Sequence, residues 1–73
     1  MTQIQYYEWF HASGSILMRV TYEGPYPRKF EVRRRDNGEW TQARALWGYI
    51  MDGDAEPIGH ERVAEIEAEV YGG

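Results

Sequence analysis

The amino-acid sequence predicts an α+β fold: a three- to four-stranded antiparallel β-meander followed by two C-terminal α-helices packed on one face. Three observations lead there. Two runs rich in aromatic and branched residues flank Ala12-Ser13-Gly14-Ser15, the composition of two strands joined by a turn. Asp36-Asn37-Gly38 is a second hairpin signal, because Asn-Gly tolerates the positive φ angles of a type I′ turn. Beyond Thr41 the apolar residues change to helical spacing, with Ala43, Leu46, Trp47, Ile50 and Met51 on one face.

Residues 4–11 form the first predicted strand and residues 16–22 the second. A two-residue turn at Ser13-Gly14 or a four-residue loop at 12–15 sets Tyr7 opposite Val20, Trp9 opposite Met18, His11 opposite Ile16 and Glu8 opposite Arg19. One face then carries Tyr7, Trp9, Ile16, Met18, Val20 and Tyr22, the expected core. The other holds the Glu8–Arg19 pair beside Tyr6, Phe10 and Leu17 and is expected to be partly wet. Residues 23–27 contain two prolines and read as a loop. Residues 28–35 form a third strand with Phe30 and Val32 inward, and Glu39–Thr41 a short fourth. Thr41 is placed to cap the first helix and Gly53 to end it. Pro57 falls in a linker, and a second helix runs from about His60 to Tyr71 with Val63, Ile66 and Val70 as its apolar face.

The chain of 73 residues and 8.6 kDa allows one small domain, 1–73. It has no cysteine, which excludes disulfides and thiolate metal sites. At 42% hydrophobic and 15% aromatic it is too apolar for a disordered chain. Its apolar runs are too short to span a membrane, and its first residues lack a signal-peptide pattern. A cytoplasmic protein without membrane contact is expected.

Charge is segregated. Residues 19–35 hold six basic and two acidic side chains, a net +4, while residues 52–73 hold seven acidic and one basic, a net −6. Such a division points either to two faces with different partners or to two segments that meet in the fold. The overall acidity, a net −4, argues against nucleic acid as the main partner.

Motifs for chemistry are few. Asp52-Gly53-Asp54-Ala55-Glu56 begins like a calcium loop, but Pro57 stands where the loop needs glycine and Val63 where it needs its closing glutamate. The two histidines, His11 and His60, lie on different elements. Ser13 and Ser15 lie in a turn with no His-plus-acid spacing around them. No catalytic residue, metal or cofactor is therefore assigned, and the chain is not expected to be an enzyme.

Surface chemistry carries the functional expectation. Glu61, Glu65 and Glu69 recur every fourth residue and form an acidic helical stripe. It reads as a solvated face or as a docking stripe for a basic partner, such as a protein that itself binds nucleic acid. Arg33 and Arg35 share one side of their strand and, with Tyr26, form an arginine–aromatic rim of the kind that anchors protein interfaces. The same basic hairpin could bind single-stranded nucleic acid, with charge for phosphates and aromatics for bases. Charged residues there also serve as protection of a sheet edge.

The stretch Leu46-Trp47-Gly48-Tyr49-Ile50-Met51-Asp52-Gly53-Asp54-Ala55-Glu56-Pro57-Ile58, followed by a short Glu/Ala helix, resembles the ending of small bacteriophage proteins. In size and charge the whole chain is similar to phage-encoded inhibitors of host defence, anti-CRISPR proteins among them. Those inhibitors share no common fold, so the resemblance transfers no functional residue. It implies a mode of action: stoichiometric binding to a host protein, without catalysis. The expectation is thus a small protein-binding inhibitor contacting its partner through Glu61, Glu65, Glu69, Arg33, Arg35 and Tyr26. A single-stranded nucleic-acid binder and a self-associating structural subunit are the alternatives.

Overall fold

The computed structural model describes residues 1–11 and 14–71. Five strands form one antiparallel sheet: β1 (Thr2–His11), β2 (Gly14–Glu23), β3 (Tyr26–Arg33), β4 (Trp40–Gln42) and β5 (Ala55–Ile58), in the order β4-β3-β2-β1-β5. Between β4 and β5 lie a 3₁₀ turn (Arg44–Leu46) and helix α1 (Trp47–Met51). Helix α2 (His60–Ile66) follows β5 and continues as a π-wound last turn (Glu67–Tyr71).

The predicted mixture of sheet and two C-terminal helices is present, with one more strand than expected. β5 pairs with β1, setting Ala55 opposite Trp9 and Ile58 opposite Tyr6. Pro57, expected in a linker, is thus a strand residue, and it sits on an edge where a missing N–H is tolerated. Thr41 lies inside β4 and caps no helix.

The helices lie on opposite faces, where the sequence suggested one. Strands β4 and β5 occupy the two edges of the sheet and run in the same direction. The connection between them must cross four inter-strand spacings, roughly 19 Å at about 4.8 Å each. The 3₁₀ turn and α1 make that crossing and lay Leu46, Trp47 and Ile50 against Tyr7, Met18, Val20, Phe30 and Ala55. With that face occupied, α2 turns over the edge after Ile58 and covers the other, where Val63 and Ile66 pack on Leu17. Leu17, expected on a partly wet face, is fully buried.

The strand register differs from expectation by two residues. His11 pairs with Gly14, so Trp9 meets Ile16, Tyr7 meets Met18, Tyr6 meets Arg19 and Glu8 meets Leu17. A shift of two leaves every side chain on its predicted face, but it separates Glu8 from Arg19. The predicted turn at Ser13-Gly14 lies partly outside the described residues; β2 begins at Gly14, two residues earlier than expected. At the β3–β4 hairpin only Gly38 takes a positive φ, 72°. Asn37 does not, so the loop is longer than a type I′ turn: the Gly38 N–H bonds to the Arg34 carbonyl and Asn37 Oδ1 accepts from the Glu39 N–H.

Candidate functional site

Every base predicted to form the arginine–aromatic rim is engaged within the fold. Arg33 ends β3 and points under the C-terminal turn, where its guanidinium bonds to Glu67 at 3.0 Å and lies 4.7 Å from the Tyr71 ring. Its Nε donates to the Gly38 carbonyl and the Tyr71 hydroxyl donates to the Arg33 carbonyl. Arg35 lies beyond the strand, and its guanidinium donates to the Ser15 carbonyl. Tyr26 is exposed, but it begins β3 while Arg33 ends it, roughly 23 Å away at strand rise. The structure does not assemble the rim, because the strand starts and stops two residues earlier than the sequence suggested.

The basic and acidic segments therefore meet, at Arg33–Glu67. A second ionic link runs the other way. Arg62, the lone base of the acidic segment, reaches down to Glu8 on β1 at 2.7 Å, and Ser15 Oγ donates to the same carboxylate. The Arg62 guanidinium holds the Glu8 carboxyl below its usual range. Arg19 does the same for Glu31, at 2.8 Å across β2 and β3. The Arg19 guanidinium also lies 4.0 Å from the Trp40 ring centroid, a cation–π contact.

Glu61, Glu65 and Glu69 are all exposed, and only Glu65 has a basic neighbour, Arg62 Nη1 at 3.3 Å. The acidic surface extends where the sequence did not point. A cleft of about 210 Å³ at the β1–β5 edge is lined by Glu8, Phe10, Asp54 and Glu56. Glu8 and Glu56 stand directly opposite across the strands, a like-charge pairing that destabilises a sheet. Glu8 is neutralised by Arg62; Asp54 and Glu56 are exposed. Phe10 beside them is 77% exposed. The signal for this second patch was Asp-Gly-Asp-Ala-Glu itself, which the failed calcium-loop match turned into a linker.

Among the described residues, no group of three or more His, Asp or Glu side chains is placed to hold a metal ion, and no helix is long and apolar enough to cross a membrane. Comparisons with protein-family models, curated proteins and solved structures found no match to this chain.

Proposed function

We propose that this chain is a small non-enzymatic protein-binding module, a phage-type inhibitor that acts on a host or defence protein by stoichiometric binding. The observation that carries this reading is the outward acidic surface. Three glutamates on α2 and its last turn face solvent, and Asp54 and Glu56 line the β1–β5 edge cleft beside the exposed Phe10. An aromatic anchor beside uncompensated charge is the composition of an interface centre and its rim. The complementary partner surface is basic, as on proteins that bind nucleic acid, where carboxylates compete by occupying phosphate positions.

Direct nucleic-acid binding through the hairpin is the weaker reading. Arg33 is bonded to Glu67, Arg34 to Asp36 and Arg35 to a backbone carbonyl, so phosphates would have to displace those bonds.

Capture from bacterial extract with the immobilised chain tests the proposal against Glu61→Gln/Glu65→Gln/Glu69→Gln. One protein should be retained by the natural sequence at low salt, and released by the triple variant or by high salt, where exposed charges are screened. Equal retention of that protein by the triple variant overturns the acidic-surface reading.

A further inference from the structure

The chain has eight Lys and Arg against twelve Asp and Glu, so acids are in surplus and every base could be neutralised internally. Five bases are engaged. Arg19, Arg33, Arg34 and Arg62 hold carboxylates at 2.8, 3.0, 2.6 and 2.7 Å, and Arg35 holds the Ser15 carbonyl at 2.9 Å. The other three, Arg28, Lys29 and Arg44, gather around one cleft of about 150 Å³ at the β3–β4 edge, with Phe30 and Gln42 completing its lining.

No carboxylate lines this cleft. Arg28 approaches Glu23 at only 3.7 Å, with both side chains about two-thirds exposed, at 63% and 65%. Among the described residues Lys29 and Arg44 make no ion pair and no side-chain hydrogen bond. Protection of a sheet edge would account for Arg28 and Lys29 on β3. It does not account for Arg44, which follows β4 in the 3₁₀ turn and converges on the same space. Three bases from β3 and the 3₁₀ turn thus line one cleft that has no carboxylate in its wall.

We propose that this cleft binds the phosphate group of a small phosphorylated ligand. A phosphate offers several acceptor oxygens and close to two charges, and so engages three donors arriving from two elements. Gln42 adds a neutral amide donor to the lining. The cleft is about half the smallest common small-molecule pocket, roughly 300 Å³, so it holds the phosphate while the rest of the ligand lies outward. The site is on the β4 side of the sheet, at the opposite edge from Asp54 and Glu56, and is independent of the proposed protein-binding surface.

The test is a nitrogen-15 NMR titration of the full chain with inorganic phosphate, pyrophosphate and adenosine triphosphate, with adenosine as the uncharged control. Saturable shifts are expected at residues 28–30 and 42–44 with the phosphorylated probes and none with adenosine. Comparison among the three probes separates recognition of free phosphate from recognition of a nucleotide. Lys29→Gln/Arg44→Gln changes two exposed side chains and should weaken binding about ten-fold or more; Arg34→Gln, on the hairpin, should leave it unchanged. Linear, non-saturating shifts overturn the proposal, as does equal binding by the double variant. So does tighter binding of a single-stranded oligonucleotide with shifts running beyond the cleft, or shifts at the same residues on concentrating the chain alone.

Discussion

The two faces of the sheet are held by different physics. Under α1, aromatic and aliphatic side chains form the cluster: Phe30 packs on Trp47 with ring centroids 5.1 Å apart, Trp9 stacks on Tyr49 at 4.4 Å, and Tyr7 bonds through its hydroxyl to Tyr22. Under α2 the buried apolar set among the described residues is Leu17, Val63 and Ile66, with half-buried side chains such as Trp40 and Ile58 against it, and ion pairs surround it: Glu8–Arg62, Arg19–Glu31 and Arg33–Glu67. A volume-filled face tolerates repacking among similar shapes. A face tied by charge depends on each partner, since removing one leaves the other poorly compensated. In a small domain with little stability in reserve, α2, the helix that carries the acidic stripe, is held by the buried Val63 and Ile66 together with the ion pairs around them.

Core truncation gives the largest expected effect. Leu17 is completely buried, and Leu17→Ala should cost about 2–5 kcal/mol. Amide exchange should then show α2 losing protection while α1 and the β2–β3 ladder keep theirs. Equal loss on both helices would mean that the sheet transmits the damage and that the two faces form one cooperative unit.

The next effect separates the faces by pH. Glu8 and Glu31 have carboxyl groups held below their usual range, chiefly by hydrogen bonds from Arg62 and Arg19. Their contribution is complete above the unfolded value of about 4.3 and is lost as pH falls through the lower folded values. On the α1 face Tyr7 is raised above the usual phenol range, first by burial and then by the Tyr22 hydroxyl. Its contribution is complete below about pH 10 and is lost as pH rises through the higher folded value. Acid should therefore loosen the α2 face first, and alkali the α1 face. Urea midpoints measured across pH should fall at both ends; Glu31→Gln should flatten the acid limb alone and Tyr7→Phe the alkaline limb alone. An unchanged acid limb in Glu31→Gln would remove the charge account of the α2 face.

Much of this division was legible in the sequence, and its failures have physical causes. Alternation along β1 and β2 placed Tyr7, Trp9, Met18 and Val20 on their correct face, because a two-residue slip in register does not change parity. The slip parted Glu8 from Arg19, and the packing of α2 and the β2–β3 pairing supplied their partners, Arg62 and Glu31. The run Ile16-Leu17-Met18 puts apolar residues on both sides of β2, the mark of a strand covered on both faces; weighing Leu17 that way would have separated the helices. β5 was hidden because Ala55-Glu56-Pro57-Ile58 has no alternation, and its pairing is specified by β1 rather than by its own propensity. Of the candidate site, the stripe Glu61, Glu65 and Glu69 is exposed as its spacing implied. The rim of Tyr26, Arg33 and Arg35 dissolved because strand ends are set by hairpin geometry, which one-dimensional spacing does not carry. The cationic cleft was invisible for the same reason: Arg44 joins Arg28 and Lys29 only once β4 has folded back along β3.

The smallest effect asks whether the α2 face holds its outer charges for the fold or for a partner. Glu61 lies in the first turn of α2, where a negative charge is favoured by the helix dipole. Glu69 lies in the last turn, where the dipole opposes it, four residues after Glu65 and of like charge. Replacing Glu69 by Gln should therefore raise stability by a few tenths of a kcal/mol, read as a small rise in the urea midpoint. The same substitution should weaken retention of the captured partner. A gain in stability joined to a loss of binding identifies Glu69 as a charge kept against the interest of the fold. A loss of stability would instead tie the stripe to the same ionic framework that holds α2 on the sheet, and would return the acidic surface to structure.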